Sequence, residues 1–108
     1  MAYDLKLADR IRSELSGVPM VEKKMFGGVG FLLNRNLACG VNKNHLIVRL
    51  DPEKHVALLK KPHVRPFDMT GRPMKGWLVV EAEGVKTDKQ LRRWLKEGLE
   101  FASTLPEK

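Results

Sequence analysis

Val29-Gly30-Phe31-Leu32-Leu33-Asn34-Arg35-Asn36-Leu37-Ala38-Cys39-Gly40-Val41-Asn42-Lys43-Asn44-His45-Leu46-Ile47-Val48-Arg49-Leu50 holds three apolar runs separated only by two asparagine-rich tripeptides. Asparagine tolerates positive φ and bonds its own backbone, so Asn34-Arg35-Asn36 and Asn42-Lys43-Asn44 read as turns. Connections this short cannot carry a parallel crossover, and the runs must form an antiparallel meander. In the last run Leu46, Val48 and Leu50 face one way, and His45, Ile47 and Arg49 the other. Cys39 alternates with Leu37 and Val41 on the core side, which reads as a buried, inert thiol.

Upstream, Val21 to Phe26 reads as a further strand, joined to Val29 by the permissive pair Gly27-Gly28. Before it, Asp4 can cap a helix whose apolar positions Leu7, Ala8, Ile11 and Leu15 recur at helical spacing, with Gly17 placed to end it. Leu5 falls off that stripe. Downstream, Asp51-Pro52 starts a short helix that stops before Pro62. A strand runs from Trp77 to about Glu81, with Leu78 and Val80 facing the helices and Trp77 and Val79 the other side. Thr87 and Gln90 form a capping-box pattern ahead of a longer last helix. Leu91, Trp94, Leu95, Gly98, Ala102 and Leu105 share one face of that helix, and Lys89, Arg92, Arg93 and Lys96 the opposite one.

Between the short helix and the Trp77 strand lies Arg65-Pro66-Phe67-Asp68-Met69-Thr70-Gly71-Arg72-Pro73-Met74-Lys75-Gly76-Trp77. Pro66 and Pro73 exclude regular helix and bias Arg65 and Arg72 towards extended backbone. Phe67, Met69, Met74 and Trp77 are too apolar for a solvated linker, so the stretch reads as an ordered loop pinned to the core. Arg65, Phe67, Asp68, Arg72, Lys75 and Trp77 form a candidate binding loop, with Arg72 able to offer a bidentate fork to an anion. The alternative is purely structural: Asp68 accepts from loop amides or Thr70, or pairs with Arg65 or Arg72.

One hundred and eight residues, 43% hydrophobic and 31% charged, suit one globular domain over 1–108. The single cysteine excludes an internal disulfide, no signal-peptide layout precedes the first helix, and no apolar run could span a bilayer. A cytoplasmic protein is expected. The net charge of +7 makes nucleic acid or an acidic partner worth testing. The excess is spread over both halves of the chain but clusters between Lys60 and Lys75.

Known chemistries are poorly served. Gly28-Val29-Gly30 lacks the Gly-Lys-Ser/Thr that makes a phosphate loop, and a strand follows it. His45, His55 and His63 are not spaced as a ligand pair on one element, and Cys39 has no second thiol, so no metal or cofactor is expected. No nucleophile–base pair stands out, and no enzymatic activity is expected.

The motif Lys23-Lys24-Met25-Phe26-Gly27-Gly28 followed by Phe31, and later Arg65-Pro66-Phe67 with Gly71-Arg72-Pro73-Met74-Lys75-Gly76-Trp77, resembles the N-terminal domain of the TfoX/Sxy proteins. That family includes regulators of bacterial competence genes. The resemblance runs from the first helix to about Leu99. It implies an α+β domain, a curved antiparallel sheet of about five strands with N-terminal and C-terminal helices and one short helix between, similar to secretion chaperones. It supplies no catalytic residues. The longer regulators carry a second, C-terminal domain, and this chain is expected to stand alone.

A non-enzymatic regulatory or interaction module follows as the expectation, engaging a protein partner or itself as a homodimer. Trp77, Val79 and Ile47 would form an apolar patch on a solvent face that marks such an interface. The alternative is a nucleic-acid-binding accessory protein using the loop cations with Lys89, Arg92, Arg93 and Lys96. Its binding is expected to be weak and sequence-blind, because no groove-reading motif is present.

Overall fold

The computed structural model describes residues 4–25, 28–67 and 76–105. Helix α1 (Leu5–Glu14) begins where Asp4 Oδ1 accepts from the N–H groups of Lys6 and Leu7, at 2.8 and 3.2 Å. Its stripe of Leu7, Ala8, Ile11 and the following Leu15 is buried, whereas Leu5 is 45% exposed. Gly17, at φ +89°, turns the chain out of the helix.

Six strands follow: β1 (Met20–Met25), β2 (Gly28–Leu33), β3 (Asn36–Asn42), β4 (His45–Arg49), β5 (Val64–Pro66) and β6 (Trp77–Val80). They form one antiparallel sheet in the order β1-β2-β3-β4-β6-β5. The meander is as the spacing of the asparagine turns requires. Its first turn is narrower than expected: only Asn34 and Arg35 take positive φ, at 53° and 66°. Asn36 is already in β3, 2% exposed, with Nδ2 donating to the Asn34 carbonyl at 3.2 Å. Two residues in left-handed backbone suit the right-handed twist of the strands they join.

The sheet has one strand more than the expected five. β5 overlaps the start of the expected loop at Arg65 and Pro66, and three residues containing a proline carry no strand signature. The proline is tolerated because, among the described residues, β5 lies at the end of the sheet and pairs only with β6. A second correction concerns Leu37. Phe31 pairs with Cys39 but Leu32 pairs with Leu37, so Ala38 is an extra residue bulged out of β3. The bulge shifts the phase of the strand: Cys39 and Val41 join the main core, whereas Leu37 is buried outside it.

Between β4 and β5, Asp51 accepts from Glu53 N–H at 2.9 Å and caps a 3₁₀ turn, Pro52–Lys54, that runs into helix α2 (His55–Leu59). Buried His55 accepts the Gly76 N–H on Nδ1 at 3.0 Å, which ties α2 to the start of β6. After β6 a second 3₁₀ turn, Ala82–Val85, leads to α3 (Asp88–Thr104). There the capping box is complete: Gln90 N–H donates to Thr87 Oγ1 at 3.1 Å, and Thr87 N–H to Gln90 Oε1 at 2.9 Å.

All three helices pack on the sheet face that carries Leu46, Val48, Leu78 and Val80, and α3 adds Leu91, Trp94 and Leu95 to that core. The helix comes so close that a Cβ on Gly98 would sit well inside contact with the Ala38 carbonyl oxygen, the bulged residue of β3. Gly98→Ala is therefore expected to destabilise the fold by about 1–3 kcal/mol through overpacking. That loss outweighs the gain of roughly 1 kcal/mol in helix propensity. Urea unfolding followed by circular dichroism measures the balance. A more stable alanine variant would show that the helix can shift away at no cost.

Candidate functional site

The face turned away from the helices is laid out by strand register. Gly40, Ile47, Val79 and Arg65 stand opposite one another across β3, β4, β6 and β5. One step along, Arg49 stands opposite Trp77, and the Phe67 N–H donates to the Trp77 carbonyl at 3.4 Å. Ile47, Phe67 and Val79 form a small second core, with Trp77 packed against it.

The rings and one cation are stacked in a row. Phe67 lies 5.7 Å from Trp77 with their planes 22° apart, and the Arg49 guanidinium lies 5.5 Å from the Trp77 ring and 5.5 Å from Phe101 of α3. Such contacts suit the negative faces of the rings and the spread charge of arginine. The row links the outermost strand to the last turns of α3.

Beside it opens a cleft of about 220 Å³. Lys43, His45 and Arg65 give it a basic rim, over a floor of Ile47, Val79 and Phe67. Arg65 Nη2 donates to His45 Nδ1 at 3.1 Å, and its Nε lies 3.8 Å from Glu81. Burial lowers the His45 pKa, and the positive charges of Arg65 and Lys43 lower it further against the pull of Glu81. The ring is thus kept neutral, as an acceptor for the guanidinium.

Of the six loop residues chosen from sequence, Arg65, Phe67 and Trp77 meet on this face. Asp68, Arg72 and Lys75 lie outside the described residues, as do Phe26 and Gly27 of the first motif. Of the apolar patch expected to face solvent, Ile47 is 1% and Val79 7% exposed and both are buried within the chain, whereas Trp77 is half-buried. The rim residues Lys43 and His45 are not among those six, although the β4 alternation puts His45 on the Ile47 face.

The α3 face with Lys89, Arg92, Arg93 and Lys96 is exposed as expected. Arg92 Nε pairs with Glu14 of α1 at 2.7 Å, which holds the guanidinium pKa above its ordinary value, and Lys96 lies 3.8 Å from Glu100. Two of the four cations therefore already have a carboxylate. Arg93 is placed apart from them, at a cleft beside Trp94.

Cys39 is fully buried, and burial pushes its thiol up to about 12, so almost no thiolate forms at neutral pH. Among the described residues no three histidine, cysteine or acidic side chains cluster as a metal site, and no helix is long and apolar enough to cross a membrane.

A family model for the TfoX N-terminal domain matches residues 15–102 of the chain. The matched span begins at Leu15, so α1 precedes it, whereas the resemblance read from the residues included the first helix. No curated protein matches the sequence.

Two measurements probe this face. Phe67→Ala should cost about 3–5 kcal/mol, the usual loss for a buried aromatic ring, read as a lowered urea midpoint. The lowered pKa of His45 makes the folded state resist protonation. Its contribution is intact above the unfolded value of about 6.5 and is lost as pH falls through it. His45→Gln should therefore flatten the drop in melting temperature between neutral and mildly acid pH, and an unchanged drop would assign it to other groups.

Proposed function

The chain belongs to the TfoX N-terminal domain family, and on that footing we propose a non-enzymatic regulatory module, linked to transcriptional regulation or competence, that works by binding a protein partner. The observation that carries this reading is the cleft with Lys43, His45 and Arg65 above Ile47, Val79 and Phe67. Cations around an apolar floor suit an acidic peptide segment that also carries aliphatic or aromatic side chains. A second copy of the chain suits the cleft less well. Both copies would bring a net charge of +7, and two of the three apolar residues expected to join them, Ile47 and Val79, are buried within each chain.

Nucleic acid is the weaker reading for a geometric reason. Arg65 lies on the sheet face opposite the helices, whereas Arg92 sits on α3 and is paired with Glu14. Of the cations on α3, Arg93 shares a cleft with Lys61 of the turn after α2. Two neutralised phosphates give a log–log salt slope of about −2 on duplex DNA.

The test uses fluorescence anisotropy with a labelled peptide of alternating glutamate and leucine, and a labelled duplex as the second probe. The peptide should bind, and Arg65→Glu with Lys43→Glu should abolish its binding while leaving the shallow duplex slope in place. A duplex slope near −5, with the peptide unbound, would make nucleic acid the function.

A further inference from the structure

A separate cleft of about 180 Å³ opens on the helix side of the molecule, where the turn after α2 meets the first turns of α3. It shares no lining residue with the cleft on the opposite sheet face. Lys61, His63 and Arg93 supply its basic groups, and Pro62 and Trp94 its apolar wall. No carboxylate among the described residues lines it. Among the described residues, Lys61, His63 and Arg93 make no ion pair, whereas Arg10, Arg12, Lys54, Arg65, Arg92 and Lys96 each have a carboxylate within 4.0 Å.

The backbone here is shaped around the histidine. His63 has φ +66°, a left-handed conformation that a non-glycine residue seldom adopts, and its carbonyl accepts the Glu81 N–H at 2.8 Å. A Cβ at Gly84 would lie 3.2 Å from His63 Cβ and 2.6 Å from Val80 Cγ1, so only glycine lets the two segments approach this closely. His63 is thereby held against the 3₁₀ turn, at the mouth of the cleft that Arg93 enters from α3.

We propose that this cleft binds a phosphomonoester carried on an apolar or aromatic body. Two permanent cations match the charge of a phosphomonoester, which approaches −2 at neutral pH. Arg93 offers a planar fork, Lys61 a compact charge, and the His63 ring an N–H donor in either protonation state. Three donor groups, two from the turn after α2 and one from α3, suit three phosphate oxygens better than the two oxygens of a carboxylate. Trp94 and Pro62 then face whatever bears the phosphate.

Titration of the whole chain with phenyl phosphate, followed by ¹H–¹⁵N NMR, tests this at low ionic strength. Shifts should saturate and centre on Gly84, Arg93 and the Trp94 indole, with tighter binding than inorganic phosphate or benzoate. Arg93→Gln and Lys61→Gln should each weaken binding about tenfold, the loss of one charge-assisted hydrogen bond. Arg92→Gln, one residue along the same helix but paired with Glu14, should leave it unchanged. Equal weakening by Arg92→Gln, or shifts that spread over the basic surface without saturating, would overturn the proposal. A nucleoside 5′-monophosphate and a phosphotyrosine peptide then identify the source: tighter binding of either one names it, and binding of neither at millimolar concentration overturns the site.

Discussion

Helix α3 can lie on the sheet because position 98 has no side chain. The carbonyl of bulged Ala38 occupies the space that a Cβ would need, and Val48 closes the other side. From that contact the helix presents Leu91, Trp94 and Leu95 to β-sheet residues Leu46, Val48, Leu78 and Val80. The capping box at Thr87 fixes where the helix begins and the close approach fixes where it sits. Moving it outward would open a gap under every one of these side chains, and such gaps are costly in a close-packed interior.

α1 depends on the same arrangement, although it precedes the span shared with the family. Leu7, Ala8 and Ile11 complete the core beside α3. Arg12 bonds Glu22 of β1 through two nitrogens, at 2.7 and 2.8 Å, while Arg10 and Glu14 reach Asp88 and Arg92 of α3. These pairs are exposed and each contributes little stability. Their effect is on charge: they neutralise Arg10 and Arg12 on α1 and Arg92 on α3, while Arg93, on the same helix, has no ion pair among the described residues.

The meander and the last helix were legible because each has a period that local residues state directly: alternation in β4, and apolar spacing behind a Thr-Gln cap in α3. The missed features have no such period. β5 is three residues long and contains a proline, so extended backbone there looked like the start of a loop. The bulge at Ala38 is a backbone event with no residue signature, and it takes Leu37 out of the phase that simple alternation with Cys39 and Val41 implies. The cleft was half legible. Alternation placed His45 beside Ile47, but its contact with Arg65 requires β6 to insert between β4 and β5, and no local pattern reports an order of strands that departs from chain order.

That strand order also determines which backbones end the sheet. β1 and β5 stand at its two sides, and unpaired strand edges are templates for fibrillar association between chains. The two are blunted by different means. β1 places Glu22, Lys23 and Lys24 in succession, so an incoming strand would meet charge on both of its faces. β5 is too short to template a ladder, and Pro66 has no amide hydrogen to offer one. An open sheet of six strands is thereby kept from growing sideways, and contacts with other molecules are left to side chains rather than to the sheet's own hydrogen bonds.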